Sequence, residues 1–299
     1  MSAPLVDGMA TLLCTPFGPD GEINWGELAR LIEFQIGHGA DALVMGGTAG
    51  EGPTLTEEEH EALTAFAVRQ AGGRVKVIAC TGSSSTRLAI QRSQRTCAAG
   101  ADGLLVVGPY YNRTTPQGLV RHFSAIAEAV DRPVILSDIP PRTGISMTAD
   151  IYKELFFGGS IHGVKEVSTQ TSLVLDSLEK CGPGFHLWTG NDEQIVPAMA
   201  MGAQGVFSVL SNILPDYVKG MVQDMKEGRV AKAAAAQRRC YHLITLLFRE
   251  THPIPLKTAL GWMGFHMGEL RLPLVPMTPE GQAELRKALA QEDLGFSFA

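Results

Sequence analysis

Eight short runs rich in Val, Ile and Leu recur along this chain, separated by amphipathic segments: Met9–Cys14, Ala42–Met45, Val75–Cys80, Gly103–Val107, Val134–Leu136, Ile161–Val164, Phe185–Trp188 and Gly205–Val209. Segments between them, such as Trp25–Gly37, Glu57–Ala71 and Leu88–Ala98, carry apolar residues at helical spacing. Strand and helix therefore alternate, as a parallel (β/α)8 barrel requires. A weak internal repeat supports this reading: Gly39-Ala40-Asp41, Gly100-Ala101-Asp102 and Gly202-Ala203-Gln204 each place a glycine after a helix and just before an apolar strand. Beyond the eighth run the pattern is helical only: Pro215–Glu227, Val230–Glu250, Pro255–Met267 and Pro279–Gln291. The expected organisation is an α/β TIM barrel over residues 1–228 and a helical C-terminal extension over 229–299.

Charge and cysteine usage narrow the partners. A formal net charge of -6, without a block of five or more like charges, speaks against nucleic acid or an anionic membrane surface. The triplet Glu57-Glu58-Glu59 fits the first turn of a helix. Five cysteines, with no Cys-x-x-Cys spacing, suggest neither a zinc site nor a disulfide framework, and a reducing, cytoplasmic setting is expected. Residues 1–7 lack a basic region followed by an apolar run, so a soluble, unprocessed chain is expected. The histidines are scattered: His60, His122 and His186 fall on helices or within strands and His162 is placed inside the sixth strand, which disfavours a metal-dependent barrel, and no metal is expected.

In a β/α barrel the chemistry gathers at the C-terminal ends of the strands. Those ends read Thr15-Pro16, Gly46–Glu51, Thr81-Gly82, Pro109–Asn112, Ser137-Asp138, Lys165-Glu166, Thr189–Asn191 and Ser208. Lys165 stands out. An ammonium with apolar walls loses solvation and proton affinity, which would make it a Schiff-base nucleophile; a strand-end ion pair is the structural alternative. The turn at Gly46–Gly50 can offer backbone N–H groups to a carboxylate, with the Thr48 hydroxyl beside them. It matches neither a P-loop nor a dinucleotide fingerprint.

Gly47-Thr48-Ala49-Gly50-Glu51-Gly52-Pro53-Thr54-Leu55-Thr56, Pro109-Tyr110-Tyr111-Asn112, Arg142-Thr143-Gly144, Gly163-Val164-Lys165-Glu166 and Pro253-Ile254-Pro255-Leu256-Lys257 together resemble the dihydrodipicolinate synthase/N-acetylneuraminate lyase family, over roughly Gly8 to Leu289. The resemblance implies a (β/α)8 barrel with a helical extension, usually a homotetramer built as a dimer of dimers. Lys165 would form an imine with a 2-oxo acid, needing no other cofactor. It further implies that Thr48 and Tyr111 belong to a hydroxyl relay, that the Thr48-Ala49-Gly50 turn holds the substrate carboxylate, and that Tyr111 acts near a neighbouring subunit's site.

The departures from that pattern bear on the reaction. The family's fifth strand ends in a proton-shuttling tyrosine, commonly followed by Asn; here Ser137-Asp138 stands there. A serine hydroxyl is shorter than a phenol and has a much higher pKa. A water beside Ser137, or the carboxylate of Asp138 or Glu166, would then move protons. Elimination from C4 of an imine-bound substrate dispenses with that phenol. On this basis the favoured activity is deamination of 1-pyrroline-4-hydroxy-2-carboxylate to 2-oxoglutarate semialdehyde and ammonia, in hydroxyproline breakdown, with 2-keto-3-deoxyarabonate dehydration next. Dihydrodipicolinate synthesis and sugar-acid aldol cleavage follow, and an inert 2-oxo acid binding protein is the non-enzymatic alternative. Asp138, Arg142, Gly190, Asn191 and Ser208 complete the expected substrate-binding set, alongside the catalytic Lys165, Thr48, Tyr111 and Ser137. Arg142 either meets the substrate or pairs with Glu51 or Asp138.

Overall fold

The computed structural model describes residues 3–291 and 294–299. Eight parallel strands close into a barrel in chain order: β1 Met9–Leu12, β2 Ala42–Met45, β3 Lys76–Cys80, β4 Gly103–Val107, β5 Val134–Asp138, β6 Gly163–Glu166, β7 His186–Thr189 and β8 Val206–Ser208. The expected fold class is therefore present. Two strands run further into polar sequence than their apolar runs suggest, so Ser137, Asp138, Lys165 and Glu166 are all strand residues. His162 lies outside β6, immediately before it.

Side chains alternate across a strand, and this barrel sorts them cleanly. Ala10, Ala42, Val44, Ile78, Leu105, Ile135, Trp188 and Phe207 fill the interior. Leu104, Val106, Leu136, Val164 and Leu187 face outward, packing against helices that include 116–128, 149–157 and 171–181. Val6 closes the interior from the N-terminal side, its carbonyl accepting the Trp188 indole N–H at 2.8 Å.

The helix over Glu57–Ala71 starts as the acidic triplet foretells. Thr56 and Glu59 cap each other reciprocally, and Gly72 ends the helix at a φ of 56°. The helices at 230–247, 254–262 and 279–291 do not build a core of their own. Leu243, Ile244, Leu256, Leu260 and Leu285 share one buried cluster with Met9, Leu28, Leu43 and Leu63 of the barrel half.

A buried ion pair ties the extension to the barrel mouth. Lys257 Nζ donates to Glu51 Oε1 at 2.6 Å, with the two side chains 3% and 0% exposed. The backbone N–H of Arg271 donates to the other Glu51 oxygen at 2.9 Å. Lys257 and Arg271 also lie over the Phe17 ring, at 4.4 and 4.2 Å from its centroid. Removing one partner strands an unpaired buried charge, a change that costs about 3–5 kcal/mol. Lys257→Met should lower the urea midpoint accordingly, whereas pairing it with Glu51→Leu should recover much of the loss. A single variant as stable as the parent would show that the pair is not what joins the two regions.

Candidate active site

Period-two alternation delivers Lys165 to the barrel interior. Ile135 is an interior residue, so Ser137, two positions on, faces the same way, and Ser137 is in register with Lys165 across β5 and β6. Lys165 is 3% exposed. Burial brings its pKa down to about 8, partly countered by Cys80, Glu166 and Asp192. None of these makes a salt bridge with it. The lysine is thus a desolvated amine rather than a strand-end ion pair, as imine chemistry needs.

Gly190 belongs to the site through its missing side chain. A Cβ there would lie 2.3 Å from Lys165 Cε and 3.0 Å from Nζ. The turn after β7 is therefore moulded around the lysine. Asn191 beside it acts as a helix cap, its side-chain oxygen accepting the Glu193 N–H at 3.0 Å.

The turn following β2 is shaped by close contacts and open amides. Gly46 sits at a φ of 68°, where a Cβ would strike His60, and the His60 ring meets the Gly52 carbonyl at 3.0 Å. Glu51 takes a left-handed conformation with a φ of 54° and is clamped by Lys257. Neither the amides of Thr48 and Ala49 nor the Thr48 hydroxyl has a protein partner among the described residues, and the same holds for the Ser137 hydroxyl. Gly50 instead packs inward against Thr15, whose buried hydroxyl also has no partner. Ser137 stands in register with Lys165, and the turn after β2 keeps the Thr48 hydroxyl and two amides open, groups of the kind that can hold a carboxylate and a reacting carbonyl.

Three expected residues turn away from this cluster. Asp138 faces outward, because it shares the parity of Leu136, and its Oδ2 accepts from the Tyr152 hydroxyl at 2.8 Å and the Met147 N–H at 3.0 Å. Glu166 faces the same side, its Oε2 lying 2.6 Å from the same Tyr152 hydroxyl oxygen. Neither carboxylate can act as base on an imine inside the barrel. Ser208 is fully buried and engaged, donating to Asp192 at 2.5 Å and accepting from the Ser211 N–H at 2.9 Å. Arg142 pairs with neither Glu51 nor Asp138; its guanidinium donates to the His252 carbonyl at 3.1 Å. Tyr111 is 96% exposed with a φ of 68°, so its phenol does not line its own barrel. An ordinary residue in that conformation is strained.

Several contributors escape a reading of strand ends. Cys80 enters from β3 with its thiol pushed up to about 12 by burial, hence neutral. His252, from the turn before Pro253, is buried beside Arg142 and within the electrostatic reach of Lys165, its pKa held near 3 by burial. Pro253-Ile254-Pro255 was the only local signal for that segment. Among the described residues no three His, Cys, Asp or Glu side chains are gathered as a metal centre needs, and no helix is long and apolar enough to cross a membrane.

The sequence of this chain matches the model of the Dihydrodipicolinate synthetase family over residues 5–292. The chain belongs to that family. A relative from an Exiguobacterium strain, named 4-hydroxy-tetrahydrodipicolinate synthase, is 43% identical over 95% of this chain and 97% of its own. The crystal structure of dihydrodipicolinate synthase from Aquifex aeolicus superposes with a TM-score of 0.94 at 39% identity, covering 97% of this chain and 99% of that one. The synthase from Acinetobacter baumannii, solved in complex with pyruvate, gives a TM-score of 0.94 at 34% identity over 98% and 100% of the two chains. A lyase of this family is thereby established. The deaminase branch expected from the departing residues is not supported, since these relatives carry the synthase name.

Two outcomes test the site. Gly190→Ala should displace Lys165 and cut borohydride trapping of a 2-oxo acid by ~100-fold, the size of effect a misplacement of about 1 Å can have, while leaving the melting temperature nearly unchanged. Trapping undiminished in Gly190→Ala would refute the steric role. The wild-type trapping rate should rise with pH and reach half its maximum at about 8, because the ammonium present below that pH has no lone pair. A midpoint near the ordinary lysine value of about 10.4 would contradict the desolvated amine.

Proposed function

We propose that this protein is a lysine-imine lyase that binds pyruvate through Lys165 and joins it to aspartate semialdehyde, the reaction for which its relatives are named. The observation that carries the proposal is the burial of Lys165 with no salt bridge among the described residues, in register with Ser137 on the inner face of the barrel. In the proposed sequence the amine attacks C2 of pyruvate, water leaves, and the iminium draws electrons from C3, which loses a proton and becomes an enamine nucleophile. The Thr48-Ala49 turn holds the carboxylate, and the free hydroxyls of Thr48 and Ser137 stand nearest the reacting atoms. Arg142, at the rim, would receive the distal carboxylate of the second substrate. No cofactor beyond the lysine is required, and the exposed Tyr111 supports assembly as a homotetramer, in which a second copy would receive that phenol. The setting proposed is cytoplasmic.

Ser137 favours one second reading. Where no phenol reaches the imine, elimination of a C4 substituent is chemically simpler than aldol chemistry, so 1-pyrroline-4-hydroxy-2-carboxylate and 2-keto-3-deoxyarabonate remain the competing substrates. A three-substrate panel separates them. Consumption of pyruvate and aspartate semialdehyde, abolished by Lys165→Ala, is the expected result. Semialdehyde with ammonia from the cyclic imine would establish a deaminase, and semialdehyde alone from the deoxy sugar acid a dehydratase. Absence of any borohydride-trapped adduct at Lys165 would overturn lysine-imine chemistry altogether.

A further inference from the structure

Two carboxyl groups and a phenol lie together behind the barrel wall. Asp138 and Glu166 are in register on β5 and β6, one position beyond Ser137 and Lys165, and both point outward. Tyr152, from the helix over Ala149–Phe157, inserts its hydroxyl between them, 2.8 Å from Asp138 Oδ2 and 2.6 Å from Glu166 Oε2. The three side chains are 1%, 2% and 0% exposed. Asp138 Oδ1 is buried with no partner at all. Among the described residues no lysine or arginine forms a salt bridge with either carboxylate. The remaining support is from backbone N–H groups: those of Met147 and Ile139 to Asp138, and of Ser168 and Val167 to Glu166.

A phenol has one proton to donate. It can satisfy one of the two carboxylates; the other, at the same oxygen, must either repel its lone pairs or donate a proton to it. Two ionised carboxylates buried against one phenol, with no salt-bridge partner among the described residues, are costly, so one of them is neutralised instead. We infer that Asp138, Tyr152 and Glu166 hold one proton beyond the phenolic one, and that this shared proton acts through the barrel wall as a positioning device for the charge state of Lys165. Glu166 is the favoured seat: burial and Asp138 raise its pKa to about 7, while Lys165, the preceding residue, is lowered to about 8. The remaining titratable or charged groups facing this pair are Cys80 from β3, Asp192 after β7, and Arg142 and His252 at the mouth.

The electrostatic interaction between Glu166 and Lys165 couples their titrations. Near neutrality one proton has two seats, giving neutral Glu166 with the free amine or ionised Glu166 with the ammonium. The first form can attack a carbonyl. The second resembles the iminium state, whose positive charge the newly ionised Glu166 would stabilise. The two groups are coupled through their charges, so no proton has to cross the wall. Catalytic benefit rests on the imine reading, but the proton sharing itself does not.

Two measurements without substrate test the triad directly. Wild-type protein at pH 6 to 7 should show the infrared carbonyl band of a protonated carboxyl group, lost in Glu166→Gln. Competitive acetylation of Lys165 by acetic anhydride, followed across pH by peptide mass, should have its midpoint about one unit lower in Glu166→Gln, so that labelling at pH 7 rises several-fold. Turnover of that variant should nevertheless fall, because the iminium loses its counter-charge; a residue that merely supports packing would not speed labelling. Tyr152→Phe, a second route that keeps both carboxyls, should move the infrared band and the labelling midpoint with little change in volume. An absent carbonyl band, or a labelling profile identical in wild type and Glu166→Gln, overturns the inference. Failure of pyruvate to form an adduct, with band and profile as expected, would sink the proposed activity and leave the triad standing.

Discussion

Closing eight parallel strands leaves each side chain only two directions, and the site depends on which residues take which. On β5 and β6 the inward positions hold Ser137 and Lys165, the outward ones Asp138 and Glu166. A shift of one residue in β6 would turn Glu166 into the apolar interior and send the amine among the helices, and the same shift in β5 would turn Asp138 inward. That register is enforced on both faces. Ile135 and Trp188 fill the inside, while Leu136, Val164 and Tyr152 pack the outside, so neither strand has a face on which a slip would be tolerated.

The same geometry explains why the amine is reactive without being destabilising. A charge deep in a protein ordinarily acquires a counter-ion, as Lys257 does from Glu51. Lys165 has none, and the space that an ion-pair partner would occupy is bounded by Gly190 and the neutral Cys80 thiol. Two buried lysines in one chain thus meet opposite fates: one is paired and structural, the other unpaired and chemically available.

Much of the fold was legible in the sequence because its signals are local. Ala42–Met45, Gly103–Val107, Trp25–Gly37, Glu57–Ala71 and Pro279–Gln291 have the bounds that apolar runs, caps and helical spacing indicate. β5 came out short and β6 two residues early because an apolar-run criterion stops at the first polar residue, whereas the hydrogen-bond ladder continues through Ser137-Asp138 and Lys165-Glu166. Asp138 and Ser208 were grouped with the lining set by proximity in sequence, although alternation turns the first away and Asp192 engages the second. Tyr152 lies 14 residues from both Asp138 and Glu166, and Lys257 lies 206 residues from Glu51; no local pattern announces such meetings. The motif around Pro253 to Lys257 signalled that the segment mattered without showing what it touches.

The Glu51 clamp also gives the chain a temporal order. The carboxylate-holding turn emerges early in synthesis, just after the second strand, yet the groups that fix Glu51 belong to residues 257 and 271. Until they arrive, a carboxylate that the finished protein keeps wholly from water has no cation to meet. A nascent barrel can therefore pair its strands and fill its interior while its substrate-binding turn is still unfastened. A polypeptide that stops short of residues 257 and 271 keeps its lysine but lacks the groups that clasp Glu51.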